Sequence, residues 1–284
     1  MGSGAEGRYS YTDGRAKLYG SLGIEGTTYQ IGFDAVAKML GDITGKTFLD
    51  FGCGAGRSAR FLKQLGAEQV YGVDHDQNMI GRAMSQKLDG VTFLRIDGPI
   101  PLPDGSVDGA VSMNVFIEIR TLGAMTRACA EIARTLRPDA PFVLESSSPM
   151  AFGHTFRNLS YPHPGPLRSG ETTPCIVTTP GGRFVIEDTY WTEDDYVDAV
   201  EQAGLTVITI DYPRPGDPAA WSTDEASVPP CIVIEARKAA RPGHLTAPAA
   251  IRLTEAAARH SPNIPVFVRR SWDSARARMI VPAG

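Results

Sequence analysis

Residues 48–58 read FLDFGCGAGRS. A short apolar run ends in Asp50, glycines alternate at Gly52, Gly54 and Gly56, and RSARFLKQLG then carries helical spacing up to a stop at Gly66. A strand that turns through bare backbone into a helix lets a ligand approach the main chain, and the helix N-terminus favours negative groups. The carboxylate at the strand end sets a second condition on that ligand.

Outward from this stretch, strand and helix signals alternate. QVYGVD reads as a strand, QNMIGRAMSQKL as a helix and VTFLRID as a strand; beyond a proline-rich loop come VDGAVSMNV, LGAMTRACAEIARTL and APFVLES. Upstream, YTDGRAKLYGSL and TYQIGFDAVAKML have the spacing of two helices. Strands alternating with helices argue for an α/β fold, a parallel sheet covered on both faces. Past Ser146 the rhythm breaks. Residues 149–187 are rich in Pro, Gly and aromatics and show little helical period, which reads as a functional lid. The pattern resumes at WTEDDYVDAVEQAG, where Thr192 and Asp195 form a capping-box pattern, and closes with LTVITIDY and PPCIVIEARK.

The spacing at the glycines is G-x-G-x-G followed by Arg57, whereas the dinucleotide fingerprint is G-x-G-x-x-G. Asp50 would repel a pyrophosphate. It would favour S-adenosylmethionine, which brings a sulfonium and an ammonium. Asp74 ends the second strand, where a carboxylate can accept both ribose hydroxyls, and Asp97 follows the third strand, placed for an adenine amino group. Each acid alone also fits an ordinary strand-end turn; the three in series point to the methyl donor.

At these residues the chain resembles the class I S-adenosylmethionine-dependent methyltransferases, in their small-molecule, natural-product tailoring branch. LDFGCGAGR resembles the first motif, GVDHDQNMI the ribose motif, FLRIDG the adenine-side motif, LPDGSVDGAVSMNVFIEI the fourth-strand segment and EIARTLRPDAPFVLE the fifth. The resemblance runs from about residue 28 to 236. It implies a Rossmann-like seven-stranded sheet, six strands parallel and the last antiparallel, with N-terminal capping helices and a lid insertion after the fifth strand. It implies that Gly52 and Gly54 approach the methionine moiety, Asp74 the ribose, Asn78 or Met79 the adenosine, and Asp97 with Gly98 the adenine. The resemblance also implies that Asn114 and Val115 lie beside the donor and His75 on its rim. In related enzymes an N-terminal tyrosine closes over the sulfonium, a place that Tyr19 fits first and Tyr11 second. S-adenosylhomocysteine is the implied product. Pro99 and Pro101 stiffen the adenine-side loop relative to the family pattern.

The acceptor is less legible. No N/D-P-P-Y element follows the fourth strand, where MNVFIEI stands, and Pro174-Cys175 and Pro230-Cys231 lie too far downstream for a cytosine nucleophile. Glu118 alone does not make a catechol-type metal site. A small molecule remains, its acceptor atom C, N or O on an indole- or phenol-like ring of a natural-product intermediate. His154 and His163, in the lid, are the candidate general bases. Two other readings stay open at this point: a protein of the same fold with other chemistry or a regulatory role, and a nucleotide-dependent oxidoreductase.

With 42% hydrophobic and 21% charged residues, the composition is that of an ordinary globular protein. Four scattered cysteines form neither a disulfide framework nor a zinc site, no metal is expected, and the lack of an apolar leader or span argues for the cytoplasm. Net charge is −4, but from Arg237 onward nine Arg and Lys face two acids. This basic, Pro/Ala-rich tail is not interleaved with aromatics, so it reads as a solvated or self-associating extension, a candidate for homodimer formation, and not as a nucleic-acid arm. Three segments follow: a cap over 1–27, the catalytic domain over 28–238 with its insertion at about 149–190, and the extension over 239–284.

Overall fold

The computed structural model describes residues 11–239, apart from residues 164 and 222. The chain divides after Pro242 into two units, and the described residues belong to the first. The basic extension beyond residue 239 lies outside the described residues, as do residues 1–10 of the cap.

Two helices come first, α1 (Asp13–Gly20) and α2 (Tyr29–Leu40). α1 starts because the Thr12 hydroxyl accepts the Arg15 N–H. α2 is amphipathic and buries Ile31, Phe33, Val36 and Leu40. The alternation then runs β1 (Thr47–Phe51), α3 (Arg57–Gln64), β2 (Gln69–Asp74), α4 (Gln77–Ser85), β3 (Val91–Arg95), β4 (Gly109–Met113), α5 (Leu122–Thr135) and β5 (Pro141–Ser147). After an insertion, α6 (Glu193–Gln202) begins at the expected capping box, with reciprocal Thr192 and Asp195 bonds. Including the strands of the insertion, β9 (Leu205–Asp211) and β10 (Cys231–Lys238) are the last two.

Seven strands form one sheet in the order β3-β2-β1-β4-β5-β10-β9. β10 runs antiparallel to both of its neighbours, and the pairs among β1 to β5 are parallel. This is the Rossmann-like α/β sheet that the sequence implies. Period-two alternation sends neighbouring side chains to opposite faces. Phe48 joins the core beneath α2 and α3, while Leu49 joins the one beneath α5 and α6.

The insertion departs from expectation. Where little regular structure was expected, the insertion holds a second, antiparallel sheet of β6 (Leu159–Ser160), β7 (Thr172–Thr179) and β8 (Gly182–Thr189), in that order. β7 and β8 pair along their whole length, from Thr172 opposite Thr189 to Thr179 opposite Gly182, around a two-residue turn at Pro180-Gly181. Their inward positions Cys175, Val177, Phe184 and Ile186 pack into the same core as α2. Phe156 and Tyr161, elsewhere in the insertion, are buried in that core as well. Period-two alternation about a Pro-Gly turn is a hairpin signal that the search for helical period passes over.

Among the described residues, no helix is long and apolar enough to cross a membrane, and no group of three or more His, Cys, Asp or Glu could hold a metal ion.

Candidate active site

The strand order reverses at β1. The chain moves outward from β1 to β2 and β3, then returns to build β4 on the other side. Such a switch point opens a crevice beyond the carboxyl ends of the two central strands. Here the crevice encloses ≈ 830 Å³, part of it open to solvent. Its walls are the glycine turn after β1, the end of β2, Met79 of α4, the segment after β4, and Tyr11 and Tyr19 from the N-terminal region.

Asp74 organises one wall. Its Oδ2 accepts the Gly54 N–H at 2.8 Å and its Oδ1 accepts the Asp76 N–H at 2.8 Å. Burial raises its carboxyl above the usual range, and these two donors oppose that rise. Asp76 caps α4, accepting from Asn78 and Met79 through one oxygen and from the Tyr11 N–H through the other. The Tyr11 hydroxyl crosses to Glu118 Oε1 at 2.5 Å. The N-terminal segment is thus tied to both sides of the crevice.

On the opposite side Asn114 sits at φ +57°, a left-handed conformation that Asn tolerates better than most residues. Its N–H donates to the Glu145 carbonyl at 3.0 Å and its side-chain amide to Glu145 Oε2 at 2.7 Å. Arg57 opens α3, and its guanidinium lies 4.7 Å from the centre of the Tyr19 ring and 4.5 Å from that of Tyr29. These distances suit cation–π contact with both rings.

A second, much narrower cavity adjoins the first; Tyr19, Asn114 and Glu118 line both. Tyr161 and Asp188 form its far side. Tyr161 and Ser147 share a hydrogen bond of 2.6 Å. Asp188 is 2% exposed, and its Oδ1 has no hydrogen-bond partner. Burial pushes Glu118 up to about 8 and Asp188 up to about 7. Hydrogen bonding from Tyr11 to Glu118, and from Tyr161 and Cys175 to Asp188, pulls the other way.

The residues singled out in the sequence divide cleanly. Gly52, Gly54, Asp74, His75, Met79, Asn114, Val115, Tyr11 and Tyr19 all line the larger cleft. Six others stand apart from it. Asp50, on the Phe48 face of β1, points under α3, where its Oδ2 accepts the Ser58 hydroxyl at 2.7 Å; burial takes its carboxyl up to about 7. Asn78 turns to the Tyr11 carbonyl at 2.6 Å and acts as a tie for the N-terminal segment. Asp97 is drawn out to Arg95 at 2.9 Å with its side chain 67% exposed, and Gly98 lies in the same exposed bend. His154 is held by Asp224 at 3.1 Å and His163 by the Gly165 carbonyl at 2.8 Å; neither lines either cavity. The expected histidine bases are loop-bonding residues.

Arg57 and Asp188 were not among the expected site residues, Glu118 entered only as a discarded metal ligand, and Tyr161 is one of the lid aromatics expected either to line a pocket or to pack the insertion. Two of them leave a trace in the sequence. Arg57 is a cation at a helix N-terminus, against the helix dipole. Asp188 falls in phase with the inward Phe184 and Ile186 once β8 is read at period two.

Comparison with known proteins points one way. A family model described as a methyltransferase domain matches residues 49–144. The N-demethylindolmycin N-methyltransferase of Streptomyces griseus is 31% identical over 176 residues, which cover 60% of this chain and 74% of that protein. An O-methyltransferase of Aspergillus nomiae is 24% identical over 180 residues, 60% of this chain and 75% of that protein. Among solved structures, an S-adenosylmethionine dependent methyltransferase from Mesorhizobium loti superposes with a TM-score of 0.56 at 22% identity, over 76% of this chain and 100% of that one.

Proposed function

The chain belongs to the class I S-adenosylmethionine-dependent methyltransferases, and on that premise we propose that it methylates a small aromatic natural-product intermediate that approaches the donor cleft from the side lined by Tyr161 and Asp188. The observation that carries this reading is the shared wall. Tyr19, Asn114 and Glu118 border both spaces, so two ligands would meet there.

The larger cleft fits the donor. A Cβ built on Gly54 meets no atom within 4 Å, so the turn offers open space beside its backbone. Gly52 and Gly54 would take the methionine moiety, Asp74 the ribose hydroxyls, and His75 and Met79 the adenosine. Arg57 gives the donor's carboxylate a charged partner, an arrangement suited to strong hydrogen bonds. Asp50 acts from below through Ser58, fixing the first turn of α3.

The donor supplies an electrophilic methyl group on a sulfonium that leaves as a neutral thioether. The work left to the protein is to position the acceptor atom and to accept its proton where it carries one. Glu118 and Asp188 stand at the second cavity for that task, in place of the two loop histidines. We place this reaction in the cytoplasm and its acceptor among small molecules. Family membership sets the nicotinamide reading aside.

The test is calorimetry with S-adenosylmethionine and with NAD on wild type and Asp74→Ala. Binding of the sulfonium donor alone, weakened at least tenfold by the substitution, is expected. An Asp74→Ala variant that binds the donor as tightly as wild type would remove the assignment of this cleft.

A further inference from the structure

Asn114 stands on the wall common to both cavities, directly after β4, in a left-handed conformation with φ +57°. A residue with a Cβ keeps such a backbone only where its surroundings impose it. Here Glu145 of β5 holds it twice. The Glu145 carbonyl accepts the Asn114 N–H at 3.0 Å, and Glu145 Oε2 accepts the side-chain Nδ2 at 2.7 Å.

Glu145 is itself fixed from two further elements. It is 2% exposed, and Cys231 of β10 brings its thiol to the same carboxyl. From α2, Gly32 passes so close that an added Cβ would lie 2.7 Å from Glu145 Oε1 and 3.0 Å from its Cδ. Glycine inside a helix costs about 0.5–1 kcal/mol relative to alanine; at this position it leaves room for the carboxyl. Glu145 lines neither cavity, so its route to the cleft runs through Asn114.

A carboxamide has a donor end and an acceptor end. With Nδ2 committed to Glu145, Oδ1 faces the other way. It has no partner among the described residues, and Asn114 is half-buried with its open side on the larger cleft. Burial pushes the Glu145 carboxyl up to about 8, and in either protonation state it keeps an oxygen that accepts Nδ2.

The surroundings indicate what the free oxygen meets. Val115 packs so tightly on Gly52 that a Cβ there would lie 2.3 Å from one of its methyl carbons, so this segment borders the turn assigned to the methionine moiety. Arg57 lines the same cleft; its guanidinium rests on tyrosine faces, and its charge reaches Glu145. An α-amino acid carries a carboxylate and an ammonium on one carbon. Arg57 suits the first, and an oxygen with no hydrogen of its own suits the second.

We infer that Glu145 is a positioning residue, which turns Asn114 Oδ1 into the cleft to accept a hydrogen bond from the donor's ammonium group. The inference rests on the reading of the larger cleft as the donor site and deepens it. A carboxamide released from Glu145 can present either end, and its NH2 end opposes an ammonium.

The test is calorimetry on the full chain with S-adenosylhomocysteine and with methylthioadenosine, which shares the adenosine and thioether but lacks the amino-acid end. Glu145→Leu should weaken S-adenosylhomocysteine about tenfold or more, the effect of losing a charged hydrogen bond, and leave methylthioadenosine within about twofold. Glu145→Gln keeps a carbonyl oxygen for Nδ2 and should restore most of the loss. Asn114→Gly, which removes the carboxamide and relieves the backbone, should match Glu145→Leu and replaces it if that variant fails to fold. Parallel weakening of both ligands overturns the inference, as does an unchanged affinity for S-adenosylhomocysteine or a Gln variant as weak as the Leu variant. A wild-type protein that binds neither ligand marks the failure of the underlying donor reading instead.

Discussion

Replacing Gly52 and Gly54 by alanine, one at a time, separates the two jobs of the glycine turn. At Gly52 φ is +74° and an added Cβ would lie 2.3 Å from one Val115 methyl carbon and 2.8 Å from the other. The left-handed backbone costs about 1–2 kcal/mol for a residue with a Cβ, and forcing a methyl into a filled site costs about 1–3 kcal/mol more. Gly52→Ala should therefore lose about 2–5 kcal/mol of stability, from a native margin of about 5–15 kcal/mol. At Gly54 φ is +51° and nothing lies within 4 Å, so only the backbone term of about 1–2 kcal/mol applies. Urea denaturation should rank Gly54→Ala close to wild type and Gly52→Ala well below it. Calorimetry should invert expectations based on stability, because the new methyl of Gly54→Ala projects into the donor's space. That variant should stay folded and bind S-adenosylmethionine at least tenfold more weakly. Adding Val115→Ala to Gly52→Ala should recover the steric part as a coupling energy of about 1–3 kcal/mol. Two variants of equal stability, or a Gly54→Ala protein that binds the donor like wild type, would refute the reasoning.

Arg57→Ala removes a charged hydrogen-bond donor worth about 1.5–3 kcal/mol, so donor affinity should fall about ten- to a hundredfold in calorimetry; an unchanged affinity would detach Arg57 from the donor's carboxylate. Stability should fall as pH rises from about 5 to about 8. Burial lifts Asp50 and Asp188 to about 7 and Glu118 and Glu145 to about 8, so the native state holds more protons than the unfolded chain across that window. Thermal melts of the free protein should show this decline and Asp188→Asn should flatten it; a stability that climbs over the same range would contradict the burial of these carboxyls.

Most of the large sheet could be read from residue order, because its strands and helices obey local rules: apolar runs, caps and glycine stops. QVYGVD is β2 to the residue, and LGAMTRACAEIARTL runs one residue past the end of α5. Much of the lining of the larger cleft was legible for the same reason, since its residues sit on turns whose geometry follows from glycines and strand ends. Asp97 shows the limit of this logic. Being at a strand end places an acid near the cleft, but a neighbouring arginine decides where its carboxylate goes. The smaller cavity depends on contacts between distant segments. Tyr161 and Ser147 are joined by a hydrogen bond, and Glu118 and Asp188 come together across 70 positions of chain only after the second sheet has folded. The histidines attracted notice for their chemistry, yet their partners Asp224 and Gly165 lie away from the cavities, and no local pattern announces those pairings.

The β7–β8 hairpin belongs to a sheet of its own, separate from the seven strands that frame the donor cleft. The side of each strand facing inward can therefore be rewritten without breaking a rung of the central ladder. Variation at Cys175, Ile186 or Asp188 would reshape the smaller cavity while the seven-stranded ladder is inherited intact. For an engineer, the same hairpin is the exchangeable part. A library confined to its alternate positions varies the smaller cavity while the hydrogen-bonded ladder of the central sheet is left alone.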